Sequence, residues 1–294
     1  MQWRTTVDAG LLAVGMVLII GCGTEAPEPP GLSQPAPVEI GKRFNSATAG
    51  TVRGRVHWVG PAPDVAAFEI RSLVTEWSPA HPRLIRDNPH APQIDPAAGV
   101  GGAVIYLRGV DPMLSRPWDL PPVTVEHHDR QLSVVQGADR SHVGFVRRGD
   151  SITMTCREKA FNALHASGAA FFTLTFPDAD QPLRRVLNSR GVVELSSGAG
   201  YYWMRGHLFV NDHPYYVRTD PQGRFELRQV APGRYWIVCW MPNWHKLRQD
   251  RDPESSLVTR LEFQPALQQQ QVIVIDAGGA VHVEFAIQES MFAR

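Results

Sequence analysis

The side chains able to do chemistry are few in this 294-residue chain, and their spacing forms no catalytic or structural metal motif: there is no H-E-x-x-H, C-x-x-C or H-x-H. His127-His128-Asp129 sets donors side by side, but neighbouring residues of a strand point to opposite faces, so both rings cannot meet one ion without a bend. His142, His165, His207 and His213 are further donors that would need Met204 or Cys239 to complete a site; unspaced as they are, they read better as solvated or core histidines. No G-x-S-x-G elbow is present, and Ser196-Ser197-Gly198 has no partners that sequence identifies. The run from Ser196 to Gly200 leads into aromatic strand residues rather than a helix, so it reads as a loop, not a phosphate cradle. Asp178 and Asp180 read as a polar turn after Phe176-Pro177 rather than a calcium site. The expectation is a protein that is not an enzyme and holds no cofactor.

Two cysteines, Cys156 and Cys239, sit in apolar strand-like segments, Ile152 to Cys156 and Trp236 to Trp240. They are candidates for a disulfide joining separate strands, or for two independent buried thiols acting as small apolar groups. The Cα separation that decides between these is not in the sequence. One aromatic cluster, Tyr201-Tyr202-Trp203 beside Gly198 and Gly200, has His213, Tyr215, Trp240, Trp244 and His245 in the same half of the chain. It reads as ordinary core, with a stacking groove for a sugar or another protein as the sharper alternative.

The elements that must position these residues are strands. Thr51 to Val59 alternates and stops at Gly60-Pro61; Ala103 to Leu107 is a short, continuously apolar strand expected to be buried on both faces. Val123 to His127 and Leu132 to Val135 look like a strand pair, and further strands follow at Ser151 to Cys156, Phe171 to Phe176, Gly191 to Leu195 and Tyr201 to Val210. Residues 62–98 are Pro-rich and irregular, with a short helix expected near Val65 to Leu73. Thr219-Asp220-Pro221-Gln222-Gly223 is a turn by composition, and Val230-Ala231-Pro232-Gly233 a second one. The last strands, Val272 to Ile275 and Val281 to Ile287, are expected to form a hairpin through Ala277-Gly278-Gly279. Many short strands with closely spaced turns define an all-β protein of sandwich or barrel type. Acidic and basic residues balance at 29 each, which gives no reason to expect a nucleic-acid partner.

The N-terminal segment carries the clearest address. Arg4 precedes an apolar run from Leu11 to Ile20, too short for a comfortable membrane-spanning helix, which ends at Ile19-Ile20-Gly21-Cys22. This resembles the lipobox of bacterial lipoproteins, which implies a signal peptide over 1–21 and a diacylglycerol (with palmitate) on Cys22 as the mature N-terminus. A Pro-rich linker over 22–50 suits an extended tether. The resemblance implies a lipid-anchored, extracytoplasmic protein of the cell envelope. The absence of Asp after Cys22 argues, by analogy with lipoprotein sorting in some Gram-negative bacteria, against retention at the inner membrane and for the outer membrane.

Two further resemblances cover the rest. Thr219-Asp220 through Gly223-Arg224-Phe225, with Val230-Ala231-Pro232-Gly233-Arg234-Tyr235, resembles the carboxypeptidase regulatory-like domain, a transthyretin-like β-sandwich. From Val100 to Trp240 the order of Gly101-Gly102-Ala103-Val104-Ile105-Tyr106-Leu107, Gly149-Asp150, Trp203-Met204 and His213-Pro214-Tyr215 resembles the cupredoxin-like proteins of the methylamine-utilisation and plastocyanin type. These resemblances imply a cupredoxin-like Greek-key sandwich over 51–212, with the irregular insert 62–98, followed by a carboxypeptidase regulatory-like sandwich over 213–289, the two possibly merged in one core. A blue-copper centre needs two imidazoles, a thiolate and a weak axial group. Carried over by alignment on Trp203-Met204, the thiolate position falls at Gly198, one imidazole at Tyr201 and the other at Phe161, so that only the axial Met204 remains. The resemblance therefore implies a degenerate former metal pocket of Phe161, Gly198, Tyr201 and Met204. The expected function is a non-catalytic binding or structural module that presents a surface to an unidentified protein or glycan. The alternative is a periplasmic metal-binding or electron-transfer protein with a rebuilt His/Met site using His165.

Overall fold

The computed structural model describes residues 43–70, 84–158, 162–254 and 258–294. The signal-peptide segment, Cys22, most of the linker and Phe161 therefore lie outside the described residues. The described chain is almost entirely strand. Its first sandwich sets a three-stranded sheet, β18 (Arg224–Val230), β1 (Gly50–Trp58) and β23 (Ala280–Ile287), against a four-stranded one of β17 (Tyr216–Arg218), β6 (Val104–Arg108), β19 (Gly233–Met241) and β22 (Leu267–Ile275). The second sets β10 (Val143–Arg147), β16 (Arg205–Asn211), β15 (Gly191–Ser197), β12 (Asn162–Gly168) and β13 (Phe172–Phe176) against β14 (Leu183–Val186), β11 (Ser151–Cys156), β7 (Val123–His128), β8 (Gln131–Gln136) and β9 (Asp139–Ser141). Three two-stranded ribbons complete the fold: β2 (Phe68–Ile70) with β3 (Leu84–Arg86), β4 (Gln93–Ile94) with β5 (Val100–Gly101), and β20 (Lys246–Arg251) with β21 (Val258–Phe263).

Alternation decides the faces. In β1 the side chains of Val52, Val56 and Trp58 enter the first core while Arg53, Arg55 and His57 face outward. The first core adds Ile105, Leu107, Ile237, Cys239, Ile273 and Phe285. The second gathers Leu132, Ile152, Met154, Cys156, Leu195, Met204 and Leu208.

The chain order of these sandwiches differs from the expected succession of 51–212 and 213–289. β1 pairs with β18 and β23, and β6 with β17 and β19, so both ends of the chain build the first sandwich. The second, β7 to β16, is inserted between β6 and β17, all within one compact unit, Pro37–Arg294. Two local expectations also change. In the described part of the segment near Val65 to Leu73, Phe68–Ile70 forms the strand β2, paired with β3, rather than a helix. β22 and β23 are not a hairpin: β22 pairs with β19 and β23 with β1, so Gly278-Gly279 carries the chain from one sheet to the other.

The turn at 219–225 holds the first sandwich together through its composition. Thr219 Oγ1 donates to the Val100 carbonyl (2.6 Å) and accepts from the Ala103 N–H (3.0 Å), while Asp220 Oδ1 accepts from Gln222 N (3.0 Å) and Arg224 N (2.8 Å). Gly223 lies at φ +80°, where a Cβ would stand 2.1 Å from the Val56 carbonyl oxygen, so only glycine fits. Tyr215, fully buried, donates its hydroxyl to the Gln229 carbonyl (2.7 Å) and accepts from the Arg116 N–H (3.0 Å). Tyr215→Phe leaves both backbone groups without that partner and is expected to lower stability by about 1–3 kcal/mol in urea unfolding; a loss below a few tenths would mean water replaces the hydroxyl.

Because the second sandwich is inserted, β16 and β6 are buried on both faces. Ile105 and Leu107 enter the first core, Leu208 and Val210 the second, and Val104, Tyr106, Phe145, Phe209, Tyr216, Val238 and Trp240 form a third cluster where the two sandwiches meet. The expectation that 103–107 is covered on both sides is met by this junction.

Candidate functional site

The loop that leaves β15 and enters β16 carries Gly198, Tyr201 and Met204. Gly198 donates its N–H to the Ala163 carbonyl (2.7 Å), and a Cβ there would lie 3.0 Å from the Ala163 Cβ, a tight contact. Tyr201 sets its ring edge-on to His127 (6.0 Å) and beside Trp203 (5.3 Å), while Met204 is buried in the second core. Three of the four residues expected to form a degenerate pocket, Gly198, Tyr201 and Met204, share one loop at one end of the second sandwich; Phe161 lies outside the described residues.

At this same end stands a group that spacing did not reveal. Cys156 Sγ lies 3.6 Å from His127 Nδ1, and Glu158 Oε1 lies 3.6 Å from His127 Nε2. Parallel pairing of β11 with β7 brings Cys156 opposite His127, a register that no motif encodes. Burial pushes the thiol pKa up and the imidazole pKa down, the latter opposed by the Glu158 carboxylate. A thiol held protonated and fully enclosed is a poor nucleophile. Its neighbour His128 is exposed, as the alternation of β7 requires.

The disulfide is not formed. Cys156 lies in the second core and Cys239 in the first, each a free buried thiol, and burial pushes the Cys239 pKa up strongly. The alternation that places each cysteine inside its own sandwich keeps them apart. Iodoacetamide is therefore expected to leave Cys156 and Cys239 unmodified in the native protein and to label both in denaturant without prior reduction, as intact-mass measurement would record. A requirement for reductant would contradict this.

The aromatic residues do not assemble into one groove. Trp240 and Tyr216 join the junction, Trp244 packs on Trp58 (6.2 Å) and Phe292 (4.4 Å) in the first core, and Tyr201 and Trp203 stay at the end of the second sandwich. His165 bonds Thr173 Oγ1 through Nδ1 (3.0 Å), and His213 stacks on Tyr216 (5.5 Å). Among the described residues, no three His, Cys, Asp or Glu side chains are grouped to hold a metal ion.

A cavity of about 280 Å³ opens beside the junction, with His90, His142, His207, Arg140, Arg218 and Met241 in its lining. β16 points His207 away from the second core toward Trp240 (ring centroids 4.8 Å), and the turn after β3 brings His90 to 5.3 Å from His207 and 4.2 Å from Phe263. His90 Nδ1 lies 2.9 Å from the Asn243 carbonyl oxygen, while its Nε2 is buried without a hydrogen-bond partner. Burial holds both rings neutral, with the His90 pKa lowered to about 3 and that of His207 also well below its usual value. His207 is among the donors the sequence offers, with other partners; nothing in the spacing joins it to His90, 117 positions earlier. A wider cleft, about 1170 Å³, includes Arg53, Arg218, Arg224, Glu226 and Phe225 in its lining.

No protein-family model matches the chain, and no curated protein matches it. Solved structures that resemble part of it are forms of amicyanin. A methionine-to-alanine mutant in the Cu(I) state is 17% identical with a TM-score of 0.24, over 30% of this chain and 81% of that one. A proline-to-glycine mutant in the reduced Cu(I) form at pH 4 is 15% identical with a TM-score of 0.24, over 36% of this chain and 97% of that one.

Proposed function

We propose that this protein is a lipid-anchored extracytoplasmic module of the cell envelope that binds or scaffolds rather than catalyses, built on a sandwich that has given up a type I copper centre. What supports this reading is the loop at 198–204: where the cupredoxin resemblance puts the thiolate, Gly198 stands with Ala163 packed against it, and where it puts an imidazole, the Tyr201 ring stands edge-on to His127. A thioether such as Met204 does not hold copper alone. The lipobox-like Ile19-Ile20-Gly21-Cys22 supports the anchor, and the Pro-rich segment after it supports a tether. The partner proposed is a protein or glycan presented at the envelope, with the membrane engaged through the N-terminal lipid.

Two measurements test the reading. Radiolabelled palmitate is expected to mark the wild type and not Cys22→Ser, which is expected to leave the membrane fraction; equal labelling would remove the anchor. Incubated with Cu(II), the protein is expected to show no intense visible charge-transfer band. Such a band, abolished by Met204→Ala or His165→Ala, would overturn the loss of the copper centre.

A further inference from the structure

We propose that the cleft over the outer face of β1 and β18, with the cavity that adjoins it, binds an acidic glycan, a run of carboxylate-bearing sugars of which one is seated in the cavity. This deepens the binding reading above, on which it rests, by naming a ligand class and a place apart from the loop at 198–204. The cleft, about 1170 Å³, and the cavity, about 280 Å³, share Gln93, Gly102, Val143 and Arg218 in their walls, so the two adjoin as one depression.

The first support is a pair of arginines left without a carboxylate. Antiparallel pairing of β1 with β18 sets Arg55 directly opposite Arg224, and like charges so placed oppose one another. Arg55 turns Nε to the Gln222 carbonyl (2.9 Å) and Nη2 to the Ala97 carbonyl (2.9 Å), neither of which carries a net charge. Arg224 has no ion pair among the described residues. The carboxylates that line the cleft are already engaged: Glu226 by Arg53 and Arg228, Asp139 by Arg218, and Glu284 by His282. Asp220 accepts from the backbone N–H groups of Gln222 and Arg224. Two guanidinium groups with no anion of their own attract one from outside, and the planar fork of arginine fits a carboxylate through two parallel hydrogen bonds.

The second support lies in the cavity. Arg140 and Arg218 line it, and no carboxylate does. Their ion pairs, with Glu126 and Asp139, each take one Nη of a group that has five N–H donors. His90 stands in the same wall. Its Nδ1 faces the Asn243 carbonyl oxygen, which only accepts, so the proton is on Nδ1 and Nε2 is an acceptor, buried and without a hydrogen-bond partner. Burial, helped by Arg205, holds the ring neutral against the bond to Asn243. The occupant must therefore carry a negative charge and a hydrogen-bond donor on one compact group. A sugar acid does, its ring hydroxyls standing beside its carboxylate, whereas an ionised Asp or Glu side chain offers no donor. The size agrees: 280 Å³ is close to the lower end of small-molecule pockets, about 300 Å³, and more than an inorganic anion fills. Met241, Pro92 and Pro242 give a sugar ring an apolar wall.

Calorimetric titration of the full chain in detergent with trigalacturonate is expected to show saturable binding. Methyl esterification of the carboxylates, which removes charge and keeps shape, is expected to weaken it at least tenfold. Arg224→Gln is expected to weaken trigalacturonate at least fivefold, while Arg184→Gln, at an exposed position of β14 in neither lining, leaves it unchanged. His90→Phe is expected to weaken binding through the cavity. The wild type gives a readout that does not depend on that variant folding: in histidine-labelled protein the His90 ring resonances are expected to shift with trigalacturonate. Absence of saturable binding, equal binding of the ester, full affinity in Arg224→Gln, or an unmoved His90 resonance would each overturn the assignment. So would tighter binding of tetraglutamate or of inorganic phosphate than of trigalacturonate. Failure here leaves palmitate labelling and the Cu(II) spectrum, which test the anchored module itself, unaffected.

Discussion

Phe209→Ala is expected to lower the free energy of unfolding by about 3–5 kcal/mol, the range for emptying an aromatic side chain from a packed core. Phe209 stands where the two sandwiches meet: its ring lies edge-on to Trp240 (5.0 Å) and packs on Tyr106 (6.0 Å), Phe145 (6.1 Å) and Tyr216 (5.9 Å). The neighbours belong to β6, β10, β17 and β19, so no single element can collapse into the space left behind. Tyr216 is fixed further by the Asn211 amide, which donates to its hydroxyl (2.5 Å). The matched control is Phe171→Ala, whose side chain is 82% exposed and whose loss is expected to stay within about 0.5 kcal/mol. Urea unfolding of the three proteins decides the matter: a Phe209→Ala loss below about 1 kcal/mol would mean the sandwiches touch without sharing a core.

That junction also marks the limit of what the sequence made legible. Alternation placed most strands, because it reports which face of each is covered, and the unbroken apolar run at 103–107 showed that β6 would be covered on both. It did not say by what. Gly54 and Val283 are partners across more than two hundred residues, and β1 pairs with both β18 and β23; such contacts depend on topology, which period alone does not carry. The turn at 219–225 was readable because Asp, Pro and Gly act locally. Gly278-Gly279 has the composition of a hairpin turn for the same local reasons, yet the strands it joins belong to opposite sheets. At the 198–204 loop, motif order located Gly198, Tyr201 and Met204, while the Cys156–His127 contact needed the register of β7 on β11. His90 and His207 share no spacing at all and meet only because an inserted sandwich returns one to the other.

Acid is expected to weaken the fold through His213, and the sign follows from its surroundings. Its ring is 4% exposed, stacked on Tyr216 and close to Tyr215 (5.8 Å). Burial lowers its pKa to about 4; Arg190 acts in the same direction and the Asp212 carboxylate against it. The unfolded chain has the ordinary value of about 6.5. Above pH 6.5 neither state binds a proton there, and stability is independent of this group. Between pH 6.5 and 4 the unfolded state binds the proton and the folded state does not, so stability falls as pH falls, by a total of about 3 kcal/mol from this residue. Below pH 4 both states are protonated and the contribution is flat again. His127 and His142 are shifted in the same direction, so the diagnostic quantity is the difference between wild type and His213→Asn, which keeps an acceptor near the Tyr215 N–H. In urea unfolding from pH 7.5 to 4, the variant is expected to lose about 3 kcal/mol less than the wild type, and parallel curves would show that His213 is protonated in the folded protein as readily as in the unfolded chain.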